Sequence, residues 1–249
     1  MPEPYGFAVA LNLPPALNIP KTFSLHGIDF AIGNDALEVR YSTKEDKNRA
    51  LEIAQEVVDV WAFSHGITLK PDFDLATAWE PNEHGGVDTE VRAVDRGSAT
   101  DSVDTELTTV DESGNVQTTS THGYSLAANV TLTELAVSNK ALREALRYYN
   151  NEALDEQRPL YGIYKAIEAI AKRLPGGRQA LGKLANQNRK FVEDVMQTAN
   201  STRHAYLEGE AVLTVEECKR RAHLLITAYS ASLPPIRSSG NDNCCGADR

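Results

Sequence analysis

Residues 25–66 read LHGIDFAIGNDALEVRYSTKEDKNRALEIAQEVVDVWAFSHG, and the spacing of apolar side chains in this stretch changes from a period of two to a helical period. Two alternating segments flank the turn residues Gly33-Asn-Asp35, which is typical of a β-hairpin. Ser42 or Thr43 then precedes residues 44–65, where apolar side chains recur at three- and four-residue steps until Gly66. The stretch therefore predicts two paired strands followed by a long capped helix.

Extended segments dominate the remainder of the first half. The apolar run from Phe7 to Leu13 predicts a strand or a packed arm, and turn-forming residues separate further segments with strand-like composition. The segments predicted to be extended are 67–79, 89–93, 105–110, 116–121 and 124–132. The sequence thus predicts an α+β domain, rich in antiparallel strands, over residues 1–130.

Helical periodicity replaces the strand pattern in the second half. Helices are predicted over 133–150 and 158–174, as a short and a longer helix within 178–198, and from Thr214 to Leu233. Thr214 and Glu217 have the spacing of a capping box, and two prolines follow the last helix. Four or five helices with short connections predict an all-α up-and-down bundle over residues 131–235. Residues 236–249 are predicted to form a disordered tail.

Charge is distributed unevenly between these two halves. The chain has a net charge of -10, but residues 1–130 hold 21 acidic and 8 basic residues, whereas residues 131–235 hold 12 acidic and 15 basic residues. The acidic half repels nucleic acid at long range, and the small basic surplus of the second half could face an anionic partner. Such a surplus is far weaker than the basic stripe of a duplex-binding protein.

Several common functions are disfavoured by what the sequence lacks. With three cysteines, two of them neighbours in the tail, it has no disulfide framework, which favours a reducing cytoplasm. No apolar run is long enough to span a bilayer, so no membrane partner is expected. Phosphate-binding glycine motifs and a nucleophile elbow are missing, and the histidines lack metal-ligand spacing. We therefore expect no cofactor and no metal site.

A polar cluster, Asn-Ser-Thr-Arg-His-Ala-Tyr at residues 200–206, is the strongest candidate for chemistry. One interpretation is that Asn200, Arg203 and His204 form hydrogen bonds to the last carbonyl groups of a helix and offset the negative end of its dipole. Such residues are common at helix ends. Alternatively, these side chains place an amide, a guanidinium and an imidazole on one patch. Such groups could bind a phosphodiester and transfer a proton. The sequence alone leaves both interpretations open.

The order of these helical motifs resembles a known family. It comprises a Tyr161-Gly-Ile-Tyr164-Lys-Ala-Ile-Glu168 helix, Asn188-Arg189, the polar cluster and a capped terminal helix. Over about residues 135–233 this arrangement resembles HEPN-type helical domains, and is most similar to the branch that includes the methylamine-utilisation accessory protein of the MauJ type. The resemblance implies a HEPN-like helical bundle for residues 131–235.

Many HEPN domains are metal-independent ribonucleases that dimerise and use an Arg followed, after four to six intervening positions, by a His. In this sequence Arg203 and His204 are adjacent, and Arg189 is separated from His204 by fourteen residues. The departure favours a non-catalytic family member. Asn200, Arg203 and His204 remain the candidate catalytic residues if the domain is a divergent nuclease.

Three further residues are predicted to support the bundle. Tyr164 and Glu168 lie one helical turn apart, and Glu168 could form a buried ion pair with Arg203 from a facing helix. Arg189 is the third. Because the first and last bundle helices carry wide apolar stripes, a homodimer through the bundle is expected.

These features together predict a non-catalytic interaction or regulatory module, with a possible protein partner, in a bacterial cytoplasm. The alternative is a metal-independent ribonuclease whose dimer cleft binds RNA. A third hypothesis is a small-ligand site in the cleft between the two halves, for which the domain count is the only indication.

Overall fold

A computed structural model describes residues 5–14, 17, 20–33, 35–81, 87–90, 108–110, 116–118, 126–153, 160–201 and 211–235. The α+β class is confirmed: antiparallel strands come first along the chain and helices follow. The strands are β1 Tyr5–Ala10, β2 Lys21–Leu25, β3 Ile28–Gly33, β4 Ala36–Tyr41, β5 Thr77–Pro81, β6 Val87–Glu90, β7 Thr108–Val110 and β8 Val116–Thr118. The helices are α1 Lys47–His65, α2 Leu126–Ser138, α3 Lys140–Tyr148, α4 Tyr161–Ala171, α5 Gly177–Leu184, α6 Arg189–Ser201 and α7 Val215–Ser232.

Six of the strands form one antiparallel sheet in the order β2-β3-β4-β1-β5-β6, and β7 pairs with β8 separately. The predicted hairpin is confirmed as β3 and β4, and the predicted N-terminal strand as β1. Phe30 pairs with Val39, which pairs with Phe7, so these apolar side chains share one face and are buried. The alternation read from the sequence therefore sets which face of the sheet is covered.

Helix α1 lies between this sheet and the helical bundle. It follows a 3-10 turn, Lys44–Asp46, and ends as predicted at Gly66, whose φ of 63° is the left-handed conformation that glycine adopts at low cost. Val57 and Val58 belong to the core under the sheet, whereas Val60 and Phe63 belong to the core of the bundle. Because α1 is covered on both sides, polar residues within it are buried as well.

The bundle differs from the prediction at its beginning. Residues 126–138 form helix α2, so the extended segment predicted over 124–132 is wrong, and α2 continues across the predicted domain boundary at residues 130 and 131. Val130 and Thr131 favour strands locally, but packing of α2 against α1 outweighs that weak preference. The helix predicted over 133–150 is divided at Asn139, whose side chain accepts a hydrogen bond from Leu142 N at 3.0 Å and caps α3.

The later helices follow the predicted pattern. Helices α5 and α6 are the short and longer helices predicted within residues 178–198, and α4 occupies most of the segment predicted over 158–174. Thr214 Oγ1 accepts a hydrogen bond from Glu217 N at 3.2 Å, which confirms the cap of α7. The predicted tail, 236–249, lies outside the described residues. None of the described helices is both long enough and apolar enough to cross a bilayer.

Gly6 on β1 provides a direct test of the sheet. A methyl group at this position would lie 2.6 Å from the carbonyl oxygen of Val39 and would also overlap the indole ring of Trp79. We expect Gly6→Ala to lower the free energy of unfolding by about 2–3 kcal/mol, because the β4 backbone would have to move. Chemical denaturation measures the loss. Ala31→Ser is the control, because Ala31 lies on the same face of the sheet as Gly6 but lines an open groove with room for one more atom. Equal losses of stability in the two variants would contradict the packing of Trp79 on Gly6.

Candidate functional site

The predicted polar cluster is described only in part. Asn200 lies in the last turn of α6, where it is half-buried, as expected for a residue near a helix end. Arg203 and His204 lie outside the described residues. The cluster, and the ion pair between Glu168 and Arg203, therefore remain predictions.

The three predicted support residues lie on two helices of the bundle. Tyr164 packs against the bundle core, and the Glu168 carboxylate is 3.2 Å from Lys172 Nζ on the same helix. Arg189 Nε donates to Glu193 Oε1 at 2.6 Å, and the Arg189 side chain is 64% exposed. The ion pairs described for Glu168 and Arg189 are thus contacts one turn along their own helices, which contribute little to stability.

A different group of polar side chains is buried where α1 meets the bundle. Glu56 and Asp59 lie one turn apart on α1, and they are 2% and 0% exposed. Acidic residues are almost never fully buried without partners. The structure provides these partners from α3 and from the π-helical turn Tyr149–Ala153 that follows it.

Two arginines of α3 face the buried carboxylates. Arg147 Nη2 donates to Glu56 Oε1 at 3.1 Å, and Arg147 Nε is 3.5 Å from Asp59 Oδ2. Arg143 Nε is 3.9 Å from Glu56 Oε1. Arg143 and Arg147 are four residues apart and therefore lie on the same face of α3. Two guanidinium groups thus lie opposite two carboxyl groups across the junction of α1 and α3.

Asn150 connects this network to the segment after α1. Its side chain is fully buried, with Nδ2 donating to Asp59 Oδ1 at 2.8 Å and to Leu69 O at 3.1 Å. Its Oδ1 accepts from Leu69 N at 3.2 Å. One amide therefore satisfies both backbone groups of Leu69 and one oxygen of Asp59. Asn150 lies in the π-helical turn, and such local distortions of a helix are often found at functional sites.

Burial changes the protonation of both carboxylic acids. It raises the pKa of Glu56 to about 7, with the neighbouring Asp59 charge adding to the effect and Arg147 and Arg143 opposing it. Burial also raises the pKa of Asp59, opposed chiefly by the hydrogen bond from Asn150 and by Arg147. Glu56 Oε2 accepts no hydrogen bond from the described residues. Neither does Asp59 Oδ2, so burial favours the protonated form of both acids, and Glu56 is about half protonated near pH 7.

A cavity of about 470 Å³ opens beside this network. It is lined by Gln55 of α1, Leu69 to Pro71 of the following segment, Arg147 of α3 and Asn151 of the π-helical turn. Neither the network nor the cavity was predicted from the sequence. A signal was present, because Glu56 and Asp59 lie on a helix whose other faces are apolar, and acids on such a helix need cationic partners.

A second groove, of about 460 Å³, lies between α5 and α7. Its polar lining includes Asn186, Arg220 and His223, and its apolar lining includes Leu184 and Leu224. The His223 ring stacks on Phe63 with centroids 4.2 Å apart, and burial lowers the pKa of His223, so its imidazole is neutral at pH 7. Arg220 donates to both oxygens of Glu217, at 2.7 and 2.8 Å. The groove therefore places an amide, a guanidinium and an imidazole on one surface.

The described residues offer little for metal or thiol chemistry. Within the ranges that the structure describes, no three His, Cys, Asp or Glu side chains stand together as they would to hold a metal ion. Cys218 is buried, and burial raises the pKa of its thiol to about 12, which suppresses the nucleophilic thiolate. Comparison of the chain with protein-family models, with curated proteins and with solved structures found no match.

Proposed function

We propose that this protein is a non-catalytic interaction module that pairs with a second copy through its helical bundle, at the groove between α5 and α7. The observation that carries the proposal is Leu184, which is 37% exposed at the edge of this groove. Large apolar side chains beside a concave apolar surface are typical of association sites. In this proposal the bundle is the HEPN-like unit of a cytoplasmic protein.

The composition of the groove favours a second copy as the occupant. Its α7 side carries Leu224 and the small residues Thr227, Ala228 and Ala231, which allow two helices to approach closely. The cation at the rim, Arg220, is paired with Glu217 on its own helix. The Arg220 side chains of two associated copies would therefore repel each other little. A twofold contact brings the same surface of both copies together, as in most soluble homodimers.

The oligomeric state tests this proposal. We expect wild-type protein at micromolar concentration to scatter light as a dimer and Leu184→Glu to scatter as a monomer, because the new carboxylate would be buried without a partner. Gln197→Glu is the control, since it adds the same charge on an exposed position of α6 outside the groove. A monomeric wild type, or a dimer unaffected by Leu184→Glu, would rule out pairing through this groove.

A second function, a divergent metal-independent ribonuclease, is favoured by the neutral imidazole of His223 beside Arg220 and Asn186 in the groove. A neutral imidazole can accept a proton, and a guanidinium can hold a phosphate. The stacking of the His223 ring on Phe63 argues against this function, because burial limits the access of the imidazole to a substrate.

Mixed RNA incubated in chelator distinguishes the two functions. Cleavage that is lost in His223→Gln or in His204→Ala would support the nuclease and identify the histidine involved. No cleavage by wild-type protein at high concentration would support the interaction module.

A further inference from the structure

The cavity between α1 and α3 has the lining of an anion site. Two cationic side chains, Arg147 and Lys70, and two amides, Gln55 and Asn151, contribute to it, and none of the described residues that line it is acidic. Its volume of about 470 Å³ lies within the range of roughly 300–1,000 Å³ that is usual for small-molecule sites. Guanidinium, ammonium and amide groups supply hydrogen-bond donors, which suit an oxygen-bearing anion.

Arg147 is held in place before any ligand arrives. Its Nη2 and Nε face Glu56 and Asp59, so these contacts use one side of the guanidinium fork. A guanidinium carries five N–H donors, and the Arg147 side chain is 47% exposed and lines the cavity. Because its orientation is fixed by buried partners, less conformational entropy is lost when an anion binds.

Gln55 is positioned by the same network. Its Nε2 faces Asp59 Oδ1 at 3.4 Å, and Asp59 is held from the other side by Asn150. Asn151 follows Asn150 in the π-helical turn and is exposed at the cavity. The buried network thus fixes the backbone and side chains that form the cavity wall, as the supporting groups of a binding site do.

We propose that this cavity binds a small oxyanion, a carboxylate or phosphate group, between the Arg147 guanidinium and the Lys70 ammonium, with Gln55 and Asn151 as further donors. The apolar surface of Pro71 would contact the remainder of such a ligand. The site lies on the α1–α3 side of the molecule and does not share a residue with the groove between α5 and α7.

Proton uptake by Glu56 is linked to this binding. The charged groups that face Glu56 are Asp59 and Glu52 on its own helix and Arg143 and Arg147 on α3. Protonation of Glu56 removes one negative charge from beside Arg147, so more of the positive charge of this guanidinium is available to an anion. An anion therefore binds more tightly to the protonated form, and by reciprocity favours it.

The proposal is tested by titrating the full chain with sulfate and, separately, with acetate. Binding is followed by heteronuclear NMR of the backbone amides. Sulfate keeps the same charge near neutral pH, so it isolates the protonation of the protein. We expect saturable shifts at Gln55, Leu69, Lys70 and Asn151, and about tenfold weaker binding in Asn151→Asp and in Lys70→Gln. Lys172→Gln is the control, because Lys172 is an exposed lysine of another helix.

The pH dependence gives a second readout. We expect sulfate to bind severalfold more tightly one pH unit below the pKa of Glu56 than one unit above it, and Glu56→Gln to remove this difference. Shifts no larger than those caused by chloride at equal ionic strength would overturn the anion site. Affinities unchanged by Asn151→Asp and Lys70→Gln would overturn it too, and equal sulfate affinity at the two pH values would overturn the link to Glu56.

Discussion

Replacing Asn150 by alanine is expected to lower the free energy of unfolding by about 3–4 kcal/mol. The substitution removes three hydrogen bonds at once and leaves both backbone groups of Leu69 and one oxygen of Asp59 without this partner. All of these groups are buried, so water cannot replace the amide without opening the structure. The loss would be measured by urea denaturation followed by circular dichroism.

The neighbouring residue offers a matched control for this prediction. Asn151 has the same side chain and lies in the same π-helical turn, but it is exposed. Asn151→Ala should therefore change the free energy of unfolding by no more than about 0.5 kcal/mol. Similar losses in the two variants would mean that the π-helical turn itself, and not the buried amide, determines stability at this position.

The parts of the fold that were predicted correctly are those that neighbouring residues determine. The β3–β4 hairpin follows from alternation around a turn, and the ends of α1 and α7 follow from Gly66 and Thr214. Helix α2 was missed because Val130 and Thr131 favour strands by themselves, while the apolar surface of α1 that α2 covers is far away along the chain. Local pattern carries little information about such a contact.

The candidate site was harder to predict for the same reason. Each carboxylate on α1 meets its partner from α3 or the π-helical turn across 91 residues of sequence. The apolar residues on either side of Asp59 indicate that this acid is enclosed, but nothing nearby in the chain identifies the residues that pair with it or with Glu56. Glu56 and Asp59 become a buried pair only because the sheet covers one side of α1 and the bundle covers the other.

Protonation of Glu56 has a predictable effect on stability. The folded-state pKa of about 7 lies above the ordinary value of 4.5, so the folded protein keeps a proton that the unfolded chain has released between these pH values. Stability therefore falls as pH rises through this window, by about 3 kcal/mol for this one group. The charged carboxylate is disfavoured because its desolvation and the neighbouring Asp59 charge outweigh its attraction to Arg147 and Arg143.

Glu56→Gln isolates this contribution, because glutamine resembles the protonated acid and cannot ionise. The variant and the wild type should be about equally stable near the lower end of the window, and the variant should become about 3 kcal/mol more stable above the upper end. Denaturation curves recorded across the pH range measure the difference directly. Glu52→Gln, an exposed position one turn earlier on α1, should show almost no such trend. If Glu56→Gln is instead less stable than the wild type at high pH, the ionised carboxylate is stabilised by Arg143 and Arg147 more than burial penalises it.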